Sequence, residues 1–230
     1  RKQPYFTNNA ANVGYTWWSH DIGGHMLGIR DDELYLRWVQ YGVFSPINRL
    51  HSSNSDLSGK EPWSYRADVD HFATEALKFR HKLIPYIYTM NYKTHTEGRA
   101  ICEPMYYAYP DEKDAFKVKN QYMFGSELMV CPIVSRINKN TGTAAVKAWL
   151  PHGRWTDIFT GQVYHGEKFL KLFRGESSIP VLAKEGAIIP LSGDGGNSVK
   201  NPENLEFLIY RGNNEFTLYE DQGEDLSYDV

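Results

Sequence analysis

At 230 residues the chain is longer than most single domains, so two structural units, or one unit with an appendage, are expected. Its 28 acidic and 25 basic residues leave a formal charge of −3 with the signs interspersed, which offers no basic face to a phosphate backbone and excludes nucleic acid as an expected partner. Only two cysteines occur, Cys102 and Cys131, far apart and within apolar runs, so neither a disulfide framework nor zinc spacing is read, and cytoplasm is the default localisation. No apolar run approaches the roughly 18 residues of a membrane span, and Arg1-Lys2-Gln3-Pro4 is not followed by a signal-type apolar core, so no membrane partner is expected. The 16 tyrosines and 6 tryptophans suit sugar stacking and ordinary cores alike, and so decide nothing.

In chain order, residues 13–18 are β-branched or aromatic and read as a buried strand. It delivers Asp21 to a turn at Gly23-Gly24. Asp31 opens a helix whose apolar positions Leu34, Trp38, Val39 and Tyr41 recur at helical spacing, up to Pro46. Residues 52–64, with their serines, Asn54, Gly59 and Pro62, read as a long loop. A long helical stripe from about Asp68 is broken near Pro85 and closed by Gly98, and residues 100–107 read as another barrel strand. Strand, helix, strand is α/β barrel order, in which loops at strand C-termini carry the site.

After Pro110 the texture changes to short apolar runs at 124, 128–133, 144–150, 155–159, 169–173, 181 and 187–191, an antiparallel sandwich pattern. Residues 192–204 read as a linker, and 205–210 with 215–219 as a hairpin around Gly212-Asn213-Asn214. One hairpin is not a stable domain, so the chain is expected to be cut at its C-terminus. Its N-terminus need not be the natural one either.

Several segments, taken in order, carry a resemblance. They are Trp18-Ser19-His20-Asp21-Ile22-Gly23-Gly24, Arg37-Trp38-Val39-Gln40-Tyr41-Gly42-Val43-Phe44-Ser45-Pro46, Arg49-Leu50-His51, and Arg80-His81-Lys82-Leu83-Ile84-Pro85-Tyr86-Ile87-Tyr88. Further matches are Phe124 through Ile133, Leu150 through Asp157, Gly186 through Pro190, and Leu218-Tyr219-Glu220-Asp221. Together they resemble glycoside hydrolase family 31, whose best-known members are α-glucosidases and α-xylosidases. The resemblance implies α/β plus β architecture: the C-terminal portion of a (β/α)8 barrel over 1–115, a proximal β-sandwich over 116–195, and the start of a truncated distal β domain over 196–230. It implies a retaining hydrolase of α-glycosidic bonds whose nucleophile and acid/base aspartates lie upstream, so that this piece alone is inactive. The remainder of the barrel and an oligosaccharide or α-glycoside are then its partners, and no cofactor or metal is implied; the oligomeric state stays open.

By the same resemblance, Asp21 matches the aspartate that binds sugar hydroxyls in the −1 subsite and His51 the sugar-binding histidine. Trp18 and Arg49 are further substrate-binding candidates. Read without the resemblance, Asp21 is an Asx-turn residue and His51 a structural histidine. Arg49 reads equally as an ion-pair partner, and alternation sends one of Trp17 and Trp18 to the core and the other to the pocket. His25 stands where many members carry an aromatic. Glu103, where members commonly carry arginine, reads as a loop carboxylate at the barrel mouth. Tyr86 and Tyr88 read as core, and Glu220, Asp221, Glu224 and Asp225 as a solvated hairpin end without calcium-loop spacing.

Two other function classes compete. His20, Asp21, His25 and His51 are ligand types that suit zinc, yet no helix-borne H-x-x-x-H pair accompanies them. The chain also reads as a non-catalytic β-sandwich module that binds sugar or docks a partner, although an incomplete barrel would leave strand edges and apolar helix faces exposed.

Overall fold

The computed structural model describes residues 2–24, 30–53, 58–224 and 226. His25, Asn54, Asp225 and Val230 therefore lie outside the described residues. The first part is helical: α1 (Gln3–Asn9), α2 (Asp32–Val43), α3 (Ala67–Lys82) and α4 (Ile84–Glu97). Asp31 caps α2, its carboxylate accepting from the Leu34 amide at 2.9 Å, and Asp32 and Glu33 complement the positive end of the helix dipole. A single residue, Leu83, separates α3 from α4, because Pro85 fits the first turn of a new helix but not the interior of an old one. Gly98, at φ 67°, ends α4 in the left-handed conformation.

The expected strand at 13–18 is not where the pairing forms. Residues 10–13 are a 3-10 turn, Val13 is 78% exposed, and the parallel bridges lie further on, Ser19 to Ile47 and Ile22 to Leu50. The pairing register follows burial: His20 and Ile22 have an apolar helix face to cover, whereas Val13, Tyr15 and Trp17 have none. α2 is the crossover between these two parallel segments, a βαβ unit. Ile22 packs with Tyr35, Leu36 and Val39 of α2 and with Val69 and Ala73 of α3. Leu34, expected on the buried stripe, is 46% exposed.

All ladders in the second part are antiparallel. A six-stranded sheet runs β1 (Cys102–Pro104), β2 (Tyr122–Phe124), β3 (Leu128–Val130), β8 (Val181–Lys184), β5 (Arg154–Asp157), β6 (Val163–His165). β4 (Ala144–Leu150) pairs with β7 (Lys168–Arg174), and β9 (Ile188–Ser192) with β10 (Leu205–Ile209). A short helix, α5 (Met105–Ala108), follows β1 directly. Side chains at Tyr122, Phe124, Leu128, Val130, Val181 and Ala183 pack with α2 and α4, whereas Met123, Met129 and Leu182 pack with β4 and β7. Both faces of the central sheet are therefore covered.

Two expectations are corrected by this pairing. Residues 100–107 do not supply a barrel strand: Cys102–Pro104 joins the antiparallel sheet beside β2, and the run then turns into α5. Glu103 accordingly sits in a strand, 4% exposed and held by Arg99, and not on a loop at a barrel mouth. The partner of 205–209 is 188–192 and not 215–219. Residues 192–204 thus close a hairpin, and 215–219 lies over α4, where Tyr219 stacks on Tyr92 at 3.6 Å and Phe216 on Tyr86 at 6.0 Å.

Candidate functional site

The parallel pairing brings two distant stretches of sequence together. The Ile22 amide donates to the Arg49 carbonyl at 3.1 Å and the Ile47 amide to the Trp18 carbonyl at 3.3 Å, which sets Asp21 beside Arg49 and His51. Arg49 Nη2 donates to Asp21 Oδ1, and His51 Nδ1 lies 3.8 Å from the same oxygen. The three side chains are 30%, 49% and 36% exposed, so solvent screens the pair, whose contribution to stability is at most about 1 kcal/mol. A carboxylate flanked by a guanidinium and an imidazole, open to solvent, is an arrangement that takes up hydroxyl groups: the carboxylate accepts and the cation and ring donate.

Two features shape the turn beyond Asp21. Gly23 and Gly24 have φ 89° and 86°, and the Gly24 amide donates back to the Asp21 carbonyl at 3.0 Å. The left-handed backbone is what requires glycine at 23, and the flexible end of the Lys60 side chain lies 2.5 Å from where a Cβ would stand. Lys60 is held by its own carbonyl, which accepts from Tyr35, while Tyr35 stacks on Tyr65 at 3.7 Å. Nothing in the serine-rich loop sequence marks Lys60 as a neighbour of Gly23.

His20 faces away from this opening. Its Nδ1 accepts from Trp38 Nε1 at 2.8 Å, so Nε2 carries the proton and donates to Ser45 Oγ, also at 2.8 Å. The ring stacks on Tyr41 at 4.5 Å and is 3% exposed. Burial, opposed by the nearby Asp21 carboxylate and assisted by Arg49, pulls its pKa down to about 4. With both ring nitrogens engaged in the core, His20 is unavailable to the zinc set considered from sequence. No group of three or more metal-ligating side chains occurs among the described residues.

Trp18 is not brought to the carboxylate by the same geometry. Its indole N–H donates to Thr7 Oγ1 of α1 at 2.8 Å, and its ring meets Tyr15 edge-on at 6.5 Å. Trp17 is 53% exposed and Trp18 half-buried, so neither tryptophan is a fully buried core residue. The structure thus assembles Asp21, Arg49 and His51, and turns Trp18 toward α1.

Residues outside the predicted set hold this assembly in place. Arg80 of α3 donates to three carbonyls of the segment leading into Arg49 and His51: Val43 at 2.7 Å, Ser45 at 2.5 Å and Pro46 at 2.8 Å. Burial lowers its pKa to about 10, and it remains a cation at neutral pH. In the sequence it opens one of the segments that carry the resemblance, with nothing to mark the carbonyls it binds.

Comparison with known proteins agrees with this layout. Residues 1–90 match the glycosyl hydrolases family 31 TIM-barrel domain, and residues 98–189 match the glycosyl hydrolase family 31 C-terminal domain. The chain belongs to glycoside hydrolase family 31. It is 27% identical over 225 residues to alpha-glucosidase 2 of Bacillus thermoamyloliquefaciens, with 96% of the chain and 28% of that protein covered. It is 29% identical over 233 residues to an alpha-xylosidase of Saccharolobus solfataricus, covering 96% of the chain and 30% of the relative. A family 31 dextranase of Flavobacterium johnsoniae, solved with glucose bound, superposes with a TM-score of 0.84 at 31% identity, over 99% of this chain and 29% of that one. The chain therefore spans less than a third of the length of these relatives.

Proposed function

We propose that the protein carrying this chain is a retaining α-glycoside hydrolase of the α-glucosidase type, to which the chain contributes part of the sugar subsite and the β unit behind it. The observation that carries the reading is the convergence of Asp21, Arg49 and His51 across the parallel pair, with the Asp21 carboxylate open to solvent. Asp21 accepts from sugar hydroxyls, His51 donates to one, and Arg49 orients the carboxylate. These bonds tighten as the ring flattens toward an oxocarbenium-like state, so they act on the barrier as well as on binding.

Retention requires a second function, a pair of carboxyl groups about 5 Å apart across the scissile bond, one attacking and one protonating the leaving oxygen. The assembly around Asp21 presents one carboxylate among two basic groups, which suits holding a sugar and not that double displacement. The nucleophile and the acid/base belong to the portion of the relatives' length that this chain does not span. Accordingly the isolated 230-residue chain turns over no aryl α-glucoside.

The decisive experiment is a screen of the native protein against aryl α-glucosides and α-xylosides, with the anomer of the first-formed sugar read by NMR. Turnover with retention, lost by at least about a hundredfold in Asp21→Ala, supports the reading. Full activity in Asp21→Ala, or inversion, refutes it.

A further inference from the structure

Between α2 and the segment that carries Arg49 and His51, four consecutive carbonyls accept hydrogen bonds from side chains of other elements. Val43, Ser45 and Pro46 accept from Arg80. Phe44 accepts from the Tyr122 hydroxyl at 2.6 Å, with the Cys102 thiol at 3.6 Å from the same oxygen. Tyr122 is 0% exposed and belongs to β2, the second strand of the six-stranded sheet. The last carbonyls of a helix lack partners within it, so an outside donor placed there fixes how the chain leaves the helix. A second set of bonds runs the other way. Arg37 of α2 donates to the carbonyls of Ser178 at 2.8 Å and Gly175 at 2.5 Å, and Gln40 donates to that of Glu176 at 2.5 Å.

α2 joins the Asp21 segment to the His51 segment, so whatever fixes its C-terminal end fixes the separation of the site residues. We propose that Tyr122 and Arg80 are positioning residues for the sugar site, acting through the backbone of residues 43–46, so that α3 and the β unit together set the site's geometry. The inference rests on the subsite reading given above. Neither residue touches the sugar: Arg80 orients three carbonyls and Tyr122 one, and the effect on the site scales accordingly.

The test uses the full-length protein with Arg80→Lys, Tyr122→Phe and, as a control, Leu182→Ala. Leu182 is 0% exposed but packs on the opposite face of the same sheet, against β4 and β7. Lysine keeps the charge of Arg80 but cannot span three carbonyls, and phenylalanine removes only the hydroxyl. For a misplaced site residue we expect kcat/KM on an aryl α-glucoside to fall about tenfold in Arg80→Lys and about threefold in Tyr122→Phe. Leu182→Ala, although less stable, should stay within about twofold of the parent when assayed well below its unfolding temperature. An equal loss in Leu182→Ala, or none in Arg80→Lys, overturns the proposal. Crystal structures of Arg80→Lys and Tyr122→Phe give a readout that needs no substrate: displacement of Arg49 and His51 relative to Asp21 supports the proposal, and unchanged positions refute it. Should the parent protein cleave no α-glycoside, it is the subsite reading that fails, and the crystal structures still decide the positioning.

Discussion

The buried His20 ties the stability of the site to pH, and the size of the effect follows from the structure. Its ring is held neutral between Trp38 and Ser45, with a folded pKa of about 4 against an ordinary 6.5. Below pH 6.5 the unfolded chain takes up a proton at this position that the folded chain refuses until about pH 4. Stability therefore falls as pH drops through that window and, from this group, is flat above it. Two and a half pH units correspond to about 3 kcal/mol at roughly 1.4 kcal/mol per unit. His20→Gln removes the titration while keeping a polar side chain; it forfeits the ring stack on Tyr41 and strains the bond to Trp38, costing about 1–3 kcal/mol at pH 7. Urea unfolding of the parent and of His20→Gln at pH 7.5, 6, 5 and 4.2 isolates the group, since all other titrations cancel in the difference. The parent's advantage should shrink by about 3 kcal/mol from the highest pH to the lowest and could change sign. A difference that stays constant with pH would show that His20 does not sit neutral in the core and would refute the assignment of its hydrogen bonds.

Other substitutions test the packing and the site separately. Gly42→Ala would place a Cβ 2.4 Å from Ile22 Cδ1, where α2 crosses the Asp21 segment, and should destabilise by about 1–3 kcal/mol in a denaturant titration despite alanine's better helix propensity. Asp157 is fully buried, accepts from the Phe159 and Thr160 amides at 3.0 Å each and pairs with Arg174. Asp157→Ala leaves that guanidinium unpaired and should cost about 3–5 kcal/mol by the same measurement, whereas Arg136→Ala, breaking the exposed pair with Asp31, should leave the denaturation midpoint essentially where it is in the parent. Arg49→Ala, also largely exposed, should leave the unfolding free energy within about 1 kcal/mol of the parent while raising KM for an α-glucoside several-fold; unchanged kinetics would make Arg49 a bystander.

How much of this was legible in the sequence depends on how many sides of each element are buried. α2 was readable because Asp31, Asp32 and Glu33 mark its start, although its second half is buried all round and not along one stripe. The split of α3 from α4 was readable because Pro85 and Gly98 act locally on the backbone. Residues 13–18 misled because aromatic and β-branched content marks a strand only where something covers it, and Val13, Tyr15 and Trp17 lie uncovered. Cys102–Pro104 misled for the opposite reason: three buried residues in a row carry no period to tell a barrel strand from a sheet edge, and only the partner at Tyr122–Phe124 decides. The site shows the same division. Asp21, Arg49 and His51 could be named from local motifs, but that they meet depends on the parallel register of 19–22 with 47–50, and that register is held by Arg80 and Tyr122, whose roles are defined by carbonyls of other elements. A backbone carbonyl is the same at every position of a sequence, so side chains that bind carbonyls leave no complementary residue for a reader to find. Residues of this kind are the ones the sequence hides, and in this chain they connect α3, through Arg80, and the β unit, through Tyr122, to the geometry of the sugar site.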